Sequence, residues 1–567
     1  MEKRLQVPIY VYLIKCLLLS FAILLSNISP VYAQPEELST KVDAVFASVD
    51  KPGSPGCAVG IYQNGSLLYS KGYGEADLEH GVRINPATVF QIGSTAKQFT
   101  AASIWLLAQQ NKLSLDDDVR KFFPELPEFG AAIKIRHLLY HTSGLRDYTN
   151  LLELAGHPTA NVSTQEEVIA LIVRQKGLNF PTDAVYQYSN SNYVLLAEIV
   201  KKVSGQSLRE FTRANIFEPL NMKHTQFVDD HTLIIPNRAI AYVERNKGSY
   251  AISMSNAERV GAAGLYTTIE DLARWDQNFY TGKVGGKALI ENMVTPGTLA
   301  NGKTLDYASG LMLGTHKGLP TIRHAGSFVG YRAELLRFPN LGFTVATLCN
   351  VPSSPRAAQL AEQVAEVYLG DWLPKPEQTA VQPTDEKPVT LSADELVDAL
   401  GDYWNPKTGE VRRMVIRNNQ TVYQIDSGSR ARLTTFGSTK FRFGKSEINI
   451  IGTPQGKKLL SLKWYGGREE TYEELKRVDP SPSYVAHYTG CFYCEELNTE
   501  YKIEGHKEGI VLKRKNQEDM VFLPTVKDKF SEGSVRLRFV RRGRQDATSF
   551  FYSDEKMNDI QFRLGCR

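Results

Sequence analysis

Apolar and polar positions follow two different rhythms along the chain, and the change falls near residue 374. From about 37 to 373, short apolar runs suited to strands are interleaved with longer stretches of helical spacing. Val59-Gly60-Ile61-Tyr62, Asn64-Gly65 and Leu67-Leu68-Tyr69 predict a hairpin, because Asn-Gly accepts the left-handed backbone of a tight turn. Thr95 to Gln110 and Tyr193 to Val203 predict helices. Arg332 to Phe338 and Phe343 to Leu348 predict a second strand pair across Pro339-Asn340-Leu341-Gly342. In Arg356 to Tyr368, apolar Ala357, Leu360, Ala361, Val364 and Val367 recur near helical spacing and predict a closing helix. Hairpins at both ends with helices between imply an α+β domain, an antiparallel sheet packed by helices.

Pro374, Pro376, Pro383 and Pro388 fall in a polar stretch that cannot bury a core, so 374–388 reads as a linker. Beyond it come short alternating strands with polar turns. Leu400-Gly401-Asp402-Tyr403, Thr421 to Ile425 and Lys440 to Phe443 are echoed by Tyr488 to Phe492, Gly509 to Leu512 and Leu537-Arg538-Phe539. This order predicts a duplicated all-β unit of roughly 90 residues, each copy a small barrel that removes exposed strand edges. The copies are placed at 389–478 and 479–567.

The first 33 residues have another character. Lys3, Arg4 and Lys15 precede an apolar run from Cys16 to Leu25, and Val31-Tyr32-Ala33 offers small-residue cleavage chemistry. That run is shorter than the roughly 20 residues a membrane span needs and fits a secretory signal, residues 1–33. The first domain then occupies 34–373. The expected product is exported, periplasmic or extracellular, with no stable membrane span after signal removal and with contact to the cell envelope open to it.

Composition narrows the function classes. At 567 residues, 42% hydrophobic and 23% charged, the chain is a multidomain globular protein. Its 66 basic against 62 acidic side chains argue against a dedicated nucleic-acid partner. The expected partner is a small molecule or short peptide. Five of the six cysteines lie beyond the signal, so one at least stays unpaired or bridges chains. A disulfide involving Cys491, Cys494 or Cys566 is expected rather than a zinc site, since no second pair completes Cys491-x-x-Cys494. Gly72-Tyr73-Gly74 lacks the third glycine of a nucleotide loop. No metal and no cofactor are expected.

Three short patterns carry chemistry. Ser94-Thr95-Ala96-Lys97 opens a predicted helix, where positions i and i+3 share a face. There a desolvated, neutral Lys97 takes the proton of the Ser94 hydroxyl, and helix N-terminal N–H groups face a developing oxyanion. Ser48-x-x-Lys51 has the same spacing but runs into Pro52-Gly53-Ser54-Pro55-Gly56, which cannot form that helix. Of four Tyr-x-Asn patterns only Tyr188-Ser189-Asn190 immediately precedes a predicted helix. Its phenol can share proton handling, and its amide can hydrogen-bond substrate. His324-Ala325-Gly326 follows the plausible edge strand Thr321-Ile322-Arg323; Gly326 would admit substrate backbone, and the Ser327 N–H could complete an oxyanion hole. His316-Lys317-Gly318 reads better as a hairpin turn.

In this order the three patterns resemble the motifs of penicillin-recognising serine hydrolases: class C beta-lactamases, D-Ala-D-Ala carboxypeptidases, D-aminopeptidases and related esterases. Flanking Phe90 to Gly93, Leu138 to Leu145 and Ala263 to Thr268 are similar too. The resemblance covers about 40–370 and implies a site between an antiparallel sheet and a helical subdomain. It implies Ser94 as acylated nucleophile, Lys97 and Tyr188 as proton carriers, and Asn190 and His324 as cleft lining. Class C enzymes usually carry Lys-Thr-Gly at the third motif, whereas histidine there resembles D-aminopeptidases and some D,D-carboxypeptidases, and two trailing small β-domains also resemble D-aminopeptidase architecture. A neutral imidazole offers no fixed cation for a substrate carboxylate. Peptidase or amidase activity is therefore expected over efficient beta-lactamase activity. The alternatives are a carboxylesterase or beta-lactamase of the same fold, or a catalytically silent envelope-binding protein. Arg536, Arg538, Arg541, Arg542 and Arg544 read as a solvated turn, or as a loop that binds acidic polymer or gates the cleft.

Overall fold

The computed structural model describes residues 35–566 except 158–160, 353–355, 371, 373–386, 418–419, 426–429, 454–455, 465–466 and 544. The expected signal and most of the expected linker lie outside the described residues, as does Arg544. Among the described residues no helix is long and apolar enough to cross a membrane.

The first domain is built on a six-stranded antiparallel sheet. Its helices are α1 (Pro35–Phe46), α2 (Lys97–Gln109), α3 (Asn190–Ser204), α4 (Ile269–Thr281) and α5 (Ala357–Leu369) among shorter ones. Its strands are β1 (Cys57–Gln63), β2 (Ser66–Tyr73), β3 (Met312–His316), β4 (Leu319–Phe328), β5 (Tyr331–Phe338) and β6 (Phe343–Cys349), in the order β3-β4-β5-β6-β1-β2. The two predicted hairpins are the pairs β1–β2 and β5–β6, and β1 pairs with β6 through Cys57↔Cys349, which are disulfide-bonded. Strands β1 and β6 are buried nearly throughout, so they appear in sequence as apolar runs rather than alternations. One sheet face is covered by α1 and α5, with Leu38, Val42, Phe46, Leu360 and Val364 against Leu336 and Val345. The other carries α4 and the helical subdomain containing α2 and α3. The active-site residues described below lie on this second side.

The two C-terminal units each begin with a short helix, Ala393–Leu396 and Pro482–Ala486, before strands starting at Gly401 and Gly490. Both glycines have positive φ, 140° and 145°. The first unit is a nine-stranded sheet whose end strands, Arg430–Arg432 and Thr434–Thr435, are separated in the chain by Leu433 alone. Its two edges are therefore neighbours. The second closes as an eight-stranded barrel, with Cys491–Cys566 tying its first strand to the residues after its last. Cys494 is left as a buried free thiol. Arg541 is committed to the barrel, bonded to Asp528 at 2.6 Å and stacked 4.8 Å over the Tyr488 ring. That makes it a poor element of a polymer-binding or gating loop.

The barrel docks on the catalytic domain. Leu151, Leu154 and Leu171 leave their own domain's core and join the barrel cluster of Val485, Tyr488, Tyr501 and Phe562. Leu154→Ala should cost about 2–5 kcal/mol, read as a lower urea midpoint and earlier separation of the barrel from the catalytic domain.

Candidate active site

Ser94 lies in a 3-10 turn, Gly93–Ala96, that leads directly into α2. The predicted helix thus begins tighter than an α-helix, and the turn still brings Lys97 Nζ to 3.1 Å from Ser94 Oγ. Ser94 is half-buried and reachable, whereas Lys97 is 0% exposed. The other partners of Nζ are Asn190 Oδ1 and the Ala262 carbonyl, both at 2.8 Å. A neutral amine matches this surrounding: two N–H bonds meet the two carbonyl oxygens, and the lone pair faces the serine hydroxyl. Burial pushes Lys97 down to about 7, with the Asp147 carboxylate pulling the other way. That is a base poised near neutrality.

Asn190 is the first residue of α3, and its backbone N–H and Nδ2 both donate to Asp147 Oδ2, at 2.7 and 2.9 Å. With Nδ2 committed there, the amide oxygen points at Lys97. The Tyr188 hydroxyl is buried and, among the described residues, has no hydrogen-bond partner. Lys97 Nζ sits 4.8 Å from its ring centroid. Burial drives the Tyr188 phenol well above its ordinary range, with the nearby Ser94 hydroxyl opposing. Tyr188 therefore stays protonated.

The wall opposite is β4. It pairs with β3 only as far as Met312↔Arg323, so its expected edge character begins at His324 and not before. From there to Phe328 it keeps β5 on one side and turns the other towards the Ser94 turn. Thr95 Oγ1 donates to the His324 carbonyl at 3.0 Å. A Cβ on Gly326 would stand 1.9 Å from the Ile92 carbonyl, and one on Gly93 (φ 50°) would stand 2.6 Å from Ser327 N. The space that Gly326 clears is therefore filled by the protein's own backbone, which corrects the expectation that it is left for substrate. The same contact sets the backbone nitrogen of Ser327 against the Ser94 turn.

His324 is 3% exposed and lies behind the cleft surface. Its Nε2 is 3.3 Å from Tyr307 Oη, which is itself 3.2 Å from His141 Nε2. His141 Nδ1 accepts from Ser189 N, so His141 Nε2–H donates to Tyr307, whose hydroxyl donates to His324. His324 Nδ1–H then donates to the Ala325 carbonyl at 2.7 Å. Every proton in this chain has a place with both imidazoles neutral. Burial and then the Lys97 charge push His324 down to about 3, and the same two causes hold His141 well below its ordinary value.

Ser94, Lys97, Tyr188, Asn190 and the backbone at Ser327 are brought together, with His324 buried beside them. His141, Asp147, Tyr307 and the Ala262 carbonyl complete the site without having been singled out. His141 stands in the Leu138–Leu145 segment whose similarity was noted, and Ala262 immediately precedes the Ala263–Thr268 segment; Tyr307 and Asp147 belong to no pattern of spacing.

The Beta-lactamase family matches residues 42–369, more than half of the chain. The chain belongs to the beta-lactamase family. Within it, a penicillin-binding protein of Bacillus subtilis is 28% identical over 408 residues, covering 68% of this chain and 87% of that one. A D-aminopeptidase of Gluconobacter oxydans is 26% identical over 475 residues, covering 82% of this chain and 84% of that one. Among solved structures, the octameric penicillin-binding protein homologue from Pyrococcus abyssi superposes with a TM-score of 0.54 at 23% identity, over 78% of this chain and 100% of that one. This beta-lactamase-family protein is a serine hydrolase on the beta-lactamase/transpeptidase fold, with β-barrel-like C-terminal units.

The depressed Lys97 has a thermodynamic signature. The native state holds it neutral above about pH 7, while the unfolded chain keeps the proton up to its ordinary value of 10.5. The unfolded state thus binds more protons across that window, and stability rises with pH. Relative to a Lys97→Met variant, the wild type should gain stability between pH 7 and 10, measured by urea unfolding at each pH.

Proposed function

We propose that the protein is an exported amidase or aminopeptidase that acylates Ser94 with small D-amino-acid amides or short D-peptides. The observation that carries the amide preference is the neutral, buried His324. Carboxypeptidase and beta-lactam substrates present a carboxylate near the scissile bond, and an imidazole that burial and the nearby Lys97 hold neutral, its Nε2 accepting from Tyr307, gives it no cation. A substrate with no carboxylate there loses nothing. The name of the D-aminopeptidase relative supports the same reading.

The chemistry balances within the site. Ser94 Oγ passes its proton to neutral Lys97 as it bonds to the substrate carbonyl carbon. The resulting oxyanion meets the N–H groups of Ser94 and Ser327. Collapse breaks the C–N bond, the amine leaves with a proton from Tyr188, and Tyr188 recovers one from Lys97. Water then bonds to the acyl carbon as Lys97 takes its proton; the C–Oγ bond breaks, Ser94 Oγ takes that proton from Lys97, and the carboxylic acid product leaves with Ser94 and neutral Lys97 restored. Asn190 holds Lys97 through its amide oxygen, its amide nitrogen being committed to Asp147 and not to substrate. Two disulfides support export, since such bonds persist in oxidising compartments. The charged-then-apolar N-terminus supports a signal.

A purified wild type and a Ser94→Ala control should be assayed on D-amino-acid amides, D-Ala-D-Ala peptides, p-nitrophenyl esters and nitrocefin. Ser94-dependent turnover is expected to be fastest on the amides. Nitrocefin hydrolysis at rates typical of dedicated lactamases would overturn the preference, and an unlabelled Ser94 after fluorophosphonate treatment of folded protein would leave only a binding role. In addition, kcat/KM on the amide should rise with pH through about 7 as Lys97 loses its proton. His324→Lys should shift selectivity towards nitrocefin, by about tenfold in the ratio of kcat/KM values.

A further inference from the structure

Arg146 and Asp147 follow Leu145 in the segment beside the site, and both are buried, 3% and 9% exposed. Their side chains serve opposite directions. Arg146 reaches into the C-terminal barrel: Nη1 donates to Glu496 Oε2 at 2.9 Å, and Nη2 to the carbonyl oxygens of Asn558 and Asp559 at 2.7 and 3.3 Å. The two charged side chains are 2% and 5% exposed. Glu496, in the turn between Gly490–Cys494 and Thr499–His506, also accepts from Lys176 N at 2.8 Å. Within the catalytic domain Arg146 Nη1 also donates to Gln175 Oε1 at 3.0 Å. A buried guanidinium of the first domain therefore finds its counter-charge on the barrel.

Asp147 reaches into the active site. Oδ1 accepts from Thr149 N and Oγ1, capping the helix Tyr148–Leu154, while Oδ2 takes both Asn190 donors. The Arg146 carbonyl accepts from Ser191 Oγ at 2.6 Å, and Ser191 Oγ accepts from Tyr148 N at 2.8 Å. Residues 146–148 are thus zipped to the start of α3. A continuous path of short contacts runs from Glu496 through Arg146, Asp147, Asn190 and Lys97 to Ser94.

We propose that Asp147 is a positioning residue for the Lys97–Ser94 pair and that the barrel holds it in place through the Glu496–Arg146 ion pair. The C-terminal barrel is then a working part of the catalytic site. This rests on the acyl-Ser94 chemistry above. Two effects are expected of Asp147: it fixes the Asn190 amide so that Oδ1 meets Lys97, and its carboxylate favours the charged amine. Around Lys97 stand Tyr188 and Tyr193 from the Tyr-x-Asn loop and α3, His141 from the segment before Asp147, and His324 from β4. Tyr188, His141 and His324 are neutral as described, and burial keeps the Tyr193 phenol protonated, which leaves Asp147 as the anion that acts on the lysine.

The test compares full-length wild type, Asp147→Asn, Glu496→Gln, the double variant and Ser94→Ala on a D-amino-acid amide across pH 5–9. Asp147→Asn should lower kcat by about ten- to a hundredfold with KM within threefold. Its acidic limb should move to lower pH, because a lysine without the nearby carboxylate loses its proton sooner. Glu496→Gln should lower kcat by about tenfold and move the limb in the same direction, and the double variant should match Asp147→Asn instead of adding to it. Glu495→Gln is the control at the same interface: Glu495 pairs with Lys176 at the exposed rim, and its loss should leave rate and limb unchanged. If Glu496→Gln does not fold, Glu496→Asp, which keeps the charge and shortens the reach, carries the same comparison. Folded Asp147→Asn or Glu496→Gln with the wild-type rate and limb would overturn the proposal while leaving Ser94 chemistry intact. A wild type with no Ser94-dependent turnover would instead overturn the acyl-serine reading, and the positioning role with it.

Discussion

An amine buried among carbonyl oxygens governs the architecture of this site. Lys97 has no exposed surface, and its neighbours are a hydroxyl, an amide oxygen and a backbone carbonyl. Removing a lysine from water penalises its charged form, so the surrounding protein decides whether it keeps a proton. Asp147 alone cannot restore the solution value, and the lysine is held near neutrality. Its three partners come from α2's own turn, the start of α3 and the segment before Leu265. Three separate stretches of chain must therefore converge for the base to exist.

The same convergence explains where glycine and histidine are needed. β4 can lie against the Ser94 turn only because Gly326 and Gly93 carry no side chains, with backbone atoms closer than any Cβ would permit. That close approach buries His324, and burial together with the nearby Lys97 removes its charge. A histidine at this position is thus a polar but uncharged wall element.

The C-terminal units show how a domain outside the chemistry can bear upon it. Three catalytic-domain leucines are buried in the barrel's core cluster, and Glu496 neutralises a buried arginine one residue from Asp147. A buried ion pair broken on one side leaves an uncompensated charge, which is strongly destabilising. Position in the chain therefore says little here about distance from the reaction, since Glu496 and Ser94 are linked through four residues.

Local sequence determined the elements that short-range physics controls. Asn64-Gly65 formed its hairpin turn, and the apolar rhythm marked β5, β6 and α5 within a residue or two. Ser94-x-x-Lys97 was legible because one helical turn fixes its geometry, and Tyr188-x-Asn190 because a helix follows at once. The pairing of Cys57 with Cys349, across 292 residues, could not be read, since it depends on β1 and β6 becoming neighbours. Nor could Tyr307, which matters only because folding sets it between His141 and His324. Gly326 was legible as a close approach, but what approaches was decided by the packing of β4 on residues 92–95. The sequence by itself determined which groups are available for acyl transfer. The tertiary structure alone decided their charges, because a pKa depends on the solvent and dipoles that the rest of the chain removes or supplies.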